Sequence, residues 1–223
     1  MCGRFVQYSC LEILQKTYDI QTVTCDVMPN YNIAPTQEIL SVIRHDGENR
    51  LGKIHWGLVP SWANDLSGAS KLINARAETV MEKPSFRGAF QRRRCLIPAD
   101  GYYEWKRENG YKQPWYFEQV SGGPLAFAGL WETWKRKDDQ AYHSCTIITT
   151  SASKSVMAIH DRMPVIIPPG MHDSWLNPEP GDPEQLAAIL RECHVRRMKS
   201  YPVATGVNDV KHNNPDCIQP IQK

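Results

Sequence analysis

A chain of 223 residues, 41% apolar and 22% charged, is long enough to bury a sizeable core and fits one domain of an ordinary soluble globular protein. No apolar run approaches the roughly 18 to 20 residues that span a bilayer, so no membrane role is expected. The formal charge of +2 is too small to announce nucleic-acid binding by itself, and any basic patch has to be local.

The opening residues, Met1-Cys2-Gly3-Arg4-Phe5, carry no basic stretch followed by an apolar run, so no secretory signal is read and a cytoplasmic location is expected. There the seven cysteines, Cys2, Cys10, Cys25, Cys95, Cys145, Cys193 and Cys217, are odd in number and stay reduced, which argues against a disulfide framework. None forms a C-x-x-C pair, and the adjacent Cys193 and His194 cannot comfortably ligate one ion. A structural zinc site is therefore disfavoured, and no metal or cofactor is expected.

In chain order, Leu11, Leu14 and Tyr18 fall at helical spacing within a short amphipathic helix from Cys10 to Tyr18. Asn30 to Thr36 reads as a loop, Glu38 to Arg44 as a strand, Asp46-Gly47 as a turn and Leu51 to Leu58 as a second strand. Asn64 to Ser70 is polar and reads as a flexible surface loop. Ala75 to Glu82 is rich in helix formers. Arg94 to Arg107, Gln113 to Val120, Leu125 to Thr133 and Tyr142 to Thr150 carry the β-branched and aromatic residues of strands. Ser153 to Ile159 suggests a short helix with a Ser cap, and Met163 to Ile167 a strand ended by Pro168-Pro169. Asp182 as N-cap and Pro183 at the first helical position open a helix whose stripe is Leu186, Ile189 and Leu190, running through Cys193. The residues after Tyr201 read as coil on the surface. Many strands with few, irregularly spaced helices predict an α+β fold: a single domain over 1–223 on a mainly antiparallel or mixed, barrel-like sheet with flanking helices.

Cys2 is the most informative residue. Removal of Met1 leaves an α-amine and a thiol on one skeleton, a 1,2-aminothiol, with reference pKa values near 7.7 to 8.0 and 8.5. With an aldehyde, the amine forms an imine and the sulfur closes a five-membered thiazolidine. The plain alternative is a frayed, accidental terminus. Gly3 permits close approach of backbone to a ligand, and Arg4 suits a phosphate or carboxylate.

Asn74 reads as a helix cap, or as an amide that orients an amine and a sugar oxygen together. Arg76 is then a phosphate contact or an exposed arginine. Strand alternation sets Glu104 with Tyr102 and Lys106, opposite Tyr103 and Trp105; a carboxyl among aromatics is a candidate for a raised pKa and proton transfer, or else a surface partner of Lys106. Asp100 reads as a turn residue before Gly101. His160 sits in the cluster His160-Asp161-Arg162, where Arg162 suits phosphate and Asp161 suits an orienting role. Trp56 reads as core. Trp62, if exposed on its loop, is a platform for stacking on a base. The run Arg92-Arg93-Arg94 reads equally as backbone-tracking charge or as a solvated turn.

Six ordered segments together resemble the SOS-response-associated peptidase family, whose members include sensors of abasic sites in single-stranded DNA. They are Met1-Cys2-Gly3-Arg4-Phe5, Tyr31-Asn32-Ile33-Ala34-Pro35, Trp56-Gly57-Leu58-Val59-Pro60-Ser61-Trp62, Ile73-Asn74-Ala75-Arg76-Ala77-Glu78, Ala99-Asp100-Gly101-Tyr102-Tyr103-Glu104-Trp105 and Ile159-His160-Asp161-Arg162-Met163-Pro164. The resemblance spans nearly the whole chain. It implies Cys2 as the crosslinking nucleophile once Met1 is lost, with Asn74, Glu104 and His160 at the other catalytic positions. It also implies Gly3, Arg4, Arg76, Arg162 and Trp62 beside the bound strand. Members often carry a second aromatic next to that tryptophan, where this chain has Ala63, which implies weaker stacking here.

The residues and the resemblance converge on a thiazolidine crosslink between Cys2 and the aldehyde of a ring-opened abasic site, in a monomer that meets DNA in the nucleoid. Two rivals remain. One is a thiol peptidase of the N-terminal-nucleophile kind; self-catalysed Met1 removal and lyase-type imine chemistry are companion activities expected of the crosslinking site itself. The other is a non-catalytic single-strand binding module that uses only the arginines and Trp62.

Overall fold

The computed structural model describes residues 2–108, 110–136, 138–179, 182–193 and 198–221. Its elements in chain order begin with β1 (Phe5–Gln7), α1 (Leu11–Tyr18), β2 (Ile20–Val23), β3 (Asn30–Ile33), β4 (Glu38–His45) and β5 (Glu48–Trp56). Next come β6 (Asn74–Arg76), α2 (Arg87–Arg92), β7 (Arg94–Ala99), β8 (Gly101–Glu108), β9 (Tyr111–Gln119), β10 (Leu125–Lys135) and β11 (Ala141–Ser151). The chain continues through α3 (Lys154–Met157), β12 (Arg162–Pro164), α4 (His172–Leu176), α5 (Pro183–Glu192) and β13 (Met198–Pro202).

The fold is α+β, as the strand pattern predicts. Strands β4, β5, β11, β10 and β7 close a ring, because β11 pairs antiparallel with β10 and also parallel with β5 through Ser144↔His55 and Cys145↔Trp56. The β4–β5 hairpin turns on Asp46 and Gly47, both at positive φ (51° and 81°), the backbone that a tight two-residue turn requires. Alternation along these strands separates two cores. Ile39, Trp56, Cys95, Ile97, Phe127, Cys145 and Ile147 fill one face. Leu40, Val42, Leu51, Leu96, Ala128 and Ile148 face outward against Leu14, Tyr18, Phe90, Trp175, Leu186 and Leu190, which are the apolar stripes of α1, α2, α4 and α5.

A second sheet, in the order β13-β9-β8-β1-β3, supplies Phe5, Tyr102 and Phe117 to the first core and so joins the barrel at its edge. A Cβ on Gly101 would sit 2.5 Å from the Phe117 carbonyl oxygen, so only glycine lets β8 start this close to β9. Among the described residues, no helix is long and apolar enough to cross a membrane.

Several local expectations give way to long-range pairing. The loop expected at Asn30 to Thr36 holds β3, because β1 pairs with it through Phe5↔Ile33. The helix formers of Ala75 to Glu82 do not make a helix: Asn74–Arg76 pair in parallel with β11, and the chain then turns. Regular strand near Met163 stops at Pro164, with one further bridge from Phe127 to Ile166. Ser153 precedes α3 but makes no capping bond, whereas Asp182 accepts the Glu184 N–H at 3.0 Å as expected. Residues 203–221 run largely over the surface, as expected, but in two 3-10 turns and with three buried anchors. Val203, Val207 and Cys217 pack with Val6, Tyr103 and Tyr116 in a third small core.

Candidate active site

The chain's first residues are carried into the interior by β1. Its register against β8 pairs Phe5 with Tyr102, and Tyr103 N–H donates to the Arg4 carbonyl at 3.0 Å. Extending that register sets Gly3 opposite Glu104, with Cys2 next to it. Cys2 is fully buried, so this residue is held in the interior and not left frayed. From the other side, Asn74 Nδ2 donates to the Cys2 carbonyl oxygen at 2.9 Å, and β6 holds Asn74 rigidly because it pairs with β11. Asn74 Oδ1 is buried and has no partner among the described residues, which leaves an acceptor ready for an N–H or O–H donor.

β11 is the common rail. β6 pairs with it at Ile147↔Asn74 and β12 at Ser151↔Arg162, and His160 sits on the turn just before β12, where its backbone N–H donates to the Val156 carbonyl at 3.0 Å. His160 Nε2 lies 3.7 Å from Glu104 Oε2. Its Nδ1 accepts the Arg162 N–H at 3.0 Å, so the neutral ring carries its proton on Nε2, facing the carboxyl. Asp161 Oδ1 stands 3.1 Å from Nδ1 and meets the second proton when the ring is charged.

Burial decides the protonation states. Glu104 is pushed up to about 8, chiefly by desolvation, so the carboxyl is largely a neutral acid at neutral pH. Desolvation, and next the Glu104 charge, push the Cys2 thiol far above its ordinary value. His160 is lowered, also chiefly by desolvation. The arrangement is a buried, protonated thiol beside a neutral acid and a neutral imidazole: groups that can pass protons without holding a standing charge.

A cavity of about 430 Å³ opens onto Glu104 and His160 and is lined further by Arg4, Trp105, Arg107, Lys112 and Asn208. Arg4 donates to Asn32 Oδ1 and to the Val207 carbonyl, both at 2.6 Å, and lies over the Trp105 ring. Arg162 grips Glu78 with two bonds, at 2.6 and 2.9 Å, and the Thr149 carbonyl at 2.7 Å. Arg76 is exposed on β6. Trp62 is 65% exposed on its loop beside Pro60 and Ala63, with no contact described to Cys2, Glu104 or His160. The run Arg92 to Arg94 is not a cationic track. Arg94 is buried and donates to the carbonyls of Phe90, Trp175 and Asn177, while Arg93 pairs with Glu132 at 2.6 Å.

Residues 1–210 match the sequence profile of the family described as SOS response associated peptidase (SRAP). The chain belongs to the SRAP family. It is 42% identical over 222 residues to abasic site processing protein YoqW of Bacillus subtilis (strain 168), covering 98% of this chain and 99% of that one. It is 30% identical over 227 residues to abasic site processing protein YedK of Escherichia coli (strain K12), covering 99% and 100%. A crystal structure of a protein from Bacteroides thetaiotaomicron superposes with a TM-score of 0.88 at 25% identity, over 99% of this chain and 100% of that one.

The cleft and its surroundings also contain residues that a reading of single positions passes over. Tyr102 shares the Glu104 face of β8; its hydroxyl is buried without a partner among the described residues, and its pKa is raised by desolvation, then by Cys2 and Glu104. The alternation that singles out Glu104 points equally to Tyr102. Arg107 and Lys112 face each other across β8 and β9 and add two cations to the cavity, which only the hairpin register brings together. Asn208 comes from the tail and accepts the Trp105 indole N–H at 2.7 Å.

Proposed function

We propose that this chain processes abasic sites in single-stranded DNA, forming a covalent thiazolidine between Cys2, freed of Met1, and the aldehyde of the ring-opened deoxyribose. The observation that carries the reading is the fully buried Cys2 next to a carboxyl whose pKa is about 8. The names of YoqW and YedK support the substrate class. The α-amine adds to the aldehyde carbon, giving a carbinolamine. Glu104, as the acid, protonates the departing hydroxyl, and one water leaves as the imine forms. The nitrogen keeps its hydrogen in this protonated imine; the carboxylate so produced takes the Cys2 thiol proton while sulfur adds to the imine carbon, which leaves the ring N–H in place. The net change is aldehyde plus aminothiol to thiazolidine plus one water.

Asn74 holds the Cys2 carbonyl and offers its Oδ1 to the sugar or amine. His160 Nε2 stands where it can exchange a proton with Glu104 and assist ring opening. Amide hydrolysis by Cys2 is the weaker reading, because it requires a thiolate attacking an unactivated carbonyl, and burial opposes that thiolate. The direct test is intact mass under denaturing conditions after incubation with an abasic single-stranded oligonucleotide. The expected product is protein plus oligonucleotide minus one water; turnover of added peptides with no adduct would favour the peptidase.

Two further expectations follow from the cleft. Removing an arginine that touches a phosphate should flatten the log-log salt dependence of single-strand binding by about 0.7. Arg76→Ala should show this with an unchanged melting temperature, whereas Arg4→Ala and Arg162→Ala also break the internal bonds described above and should melt earlier. Unchanged slopes in all three variants would place the strand elsewhere. His160→Ala should alter the rate of crosslink reversal more than the initial non-covalent affinity, since release passes back through the imine. Release kinetics from a purified adduct against excess undamaged competitor measure this, and identical forward and reverse rates would leave His160 a structural residue.

A further inference from the structure

The tail that walls the cleft carries a separate group of side chains. His212, Asp216 and Cys217 lie around a one-turn 3-10 helix, Pro215–Ile218. His212 Nε2 is 3.1 Å and 3.2 Å from the two Asp216 carboxylate oxygens, and the Cys217 thiol donates to the His212 carbonyl at 3.4 Å. One nitrogen, one oxygen and one sulfur from these residues lie within 4.8 Å of one another. Packing fixes the group from several sides. A Cβ on Gly206 would lie 3.2 Å from the His212 ring, so the imidazole rests against bare backbone. The His212 carbonyl accepts Asn32 Nδ2 at 2.7 Å, and Cys217 is buried in the third core.

We propose that His212, Asp216 and Cys217 bind a divalent transition-metal ion, zinc by the character of the donors, with water in the fourth position. A thiolate, an imidazole and a carboxylate suit zinc; magnesium and calcium take oxygen ligands throughout. Around tetrahedral zinc such donor atoms stand about 3.4 to 3.7 Å apart, from bond lengths of roughly 2.0 to 2.3 Å. Binding would draw the three donors together from a present spacing of up to 4.8 Å. On binding, the Cys217 thiol releases its proton to solvent, and the neutral imidazole keeps its single proton on Nδ1 as Nε2 takes the metal. No electron moves. The ion would fix the segment that accepts from Arg4 at the Val207 carbonyl and from Trp105 at Asn208 Oδ1, so the wall of the cleft would stiffen when it is loaded. The spacing His-x3-Asp-Cys on an irregular turn belongs to no recurrent zinc motif, so a reading based on C-x-x-C pairs and the Cys193-His194 neighbours passes over it.

The test uses reduced, metal-stripped full-length protein titrated with zinc, followed by calorimetry and thermal melting, with cobalt as a spectroscopic substitute. One ion per chain is expected. Zinc at a hundredfold excess over its dissociation constant should raise the melting temperature by about 5 to 10 °C, and cobalt should give a thiolate-to-metal charge-transfer band. Cys217→Ser should lose that band, and Asp216→Ala, a change at an exposed carboxylate, should weaken zinc at least tenfold. Absence of binding would overturn the proposal. So would unchanged stoichiometry and an unchanged thiolate band in both variants, which would put the ion on another thiol such as Cys2.

Discussion

Glu104→Gln is expected to slow adduct formation by about a hundredfold or more, the usual cost of removing a general acid–base, while affinity for undamaged single strands stays nearly the same. Glutamine keeps the size and one hydrogen-bond donor, so it preserves the packing against Tyr102 and His160 and removes only the transferable proton. The wild-type pH profile should be bell-shaped. The free amine, with a reference pKa near 7.7 to 8.0, accumulates as pH rises, and the Glu104 acid is lost as pH passes about 8. In Glu104→Gln the alkaline limb should vanish along with most of the rate. A wild-type rate in the variant would remove Glu104 from the mechanism.

The same substitution has a consequence for stability, with opposite sign. Glu104 has a folded-state pKa raised from 4.5 to about 8, so between those values the folded chain keeps a proton that the unfolded chain gives up. Stability from this group is therefore fully present below about 4.5 and is lost as pH rises towards 8. Glutamine does not titrate, so Glu104→Gln should be more stable than wild type at neutral pH, by up to about 3 kcal/mol at pH 7, since each pH unit above the unfolded-state value costs roughly 1.4 kcal/mol. Denaturant melts at pH 5 and pH 7 should show the gap widening with pH. A site that weakens the fold it sits in is retained for its chemistry.

Features written into local chemistry are legible in the sequence. Asp46-Gly47 needs only two residues that tolerate positive φ, Asp182-Pro183 needs only a cap and a fixed first turn, and the Glu104 face follows from alternation along one strand. Features created by distant partners are not legible. Ala75-Arg76 looks helical by composition, with Asn74 as its cap, and Asn74–Arg76 is a strand because β11 is there to pair with it. Arg94 looks like surface charge and is buried because three carbonyls of the 90–177 region meet its guanidinium. No spacing in the sequence places residue 2 beside residues 74, 104 and 160; the family resemblance implies that grouping, and the strand pairings of β1 and β6 with the turn before β12 give its physical cause.

The decisive experiment concerns the amine of Cys2. A thiazolidine needs a nitrogen and a sulfur that can both bond to the former aldehyde carbon, and an amide nitrogen cannot form the imine that precedes it. Protein that retains Met1 keeps the Cys2 thiol, the Glu104 acid and the cationic cleft, yet its Cys2 nitrogen is an amide, so no stable adduct should form. Cys2→Ala and Cys2→Ser should lose it too, although serine retains the amine and can give an imine or oxazolidine that hydrolyses. Cys2 is fully buried, so each variant needs a melting curve to show that it is folded, and each should still bind single strands through Arg4 and Arg76. Processed protein, Met1-retaining protein, Cys2→Ala and Cys2→Ser are compared against one abasic oligonucleotide on a denaturing gel and by intact mass. A stable adduct on the chain that still carries Met1 would sink the thiazolidine and move the nucleophile to a lysine such as Lys112 at the cleft wall, or to another cysteine.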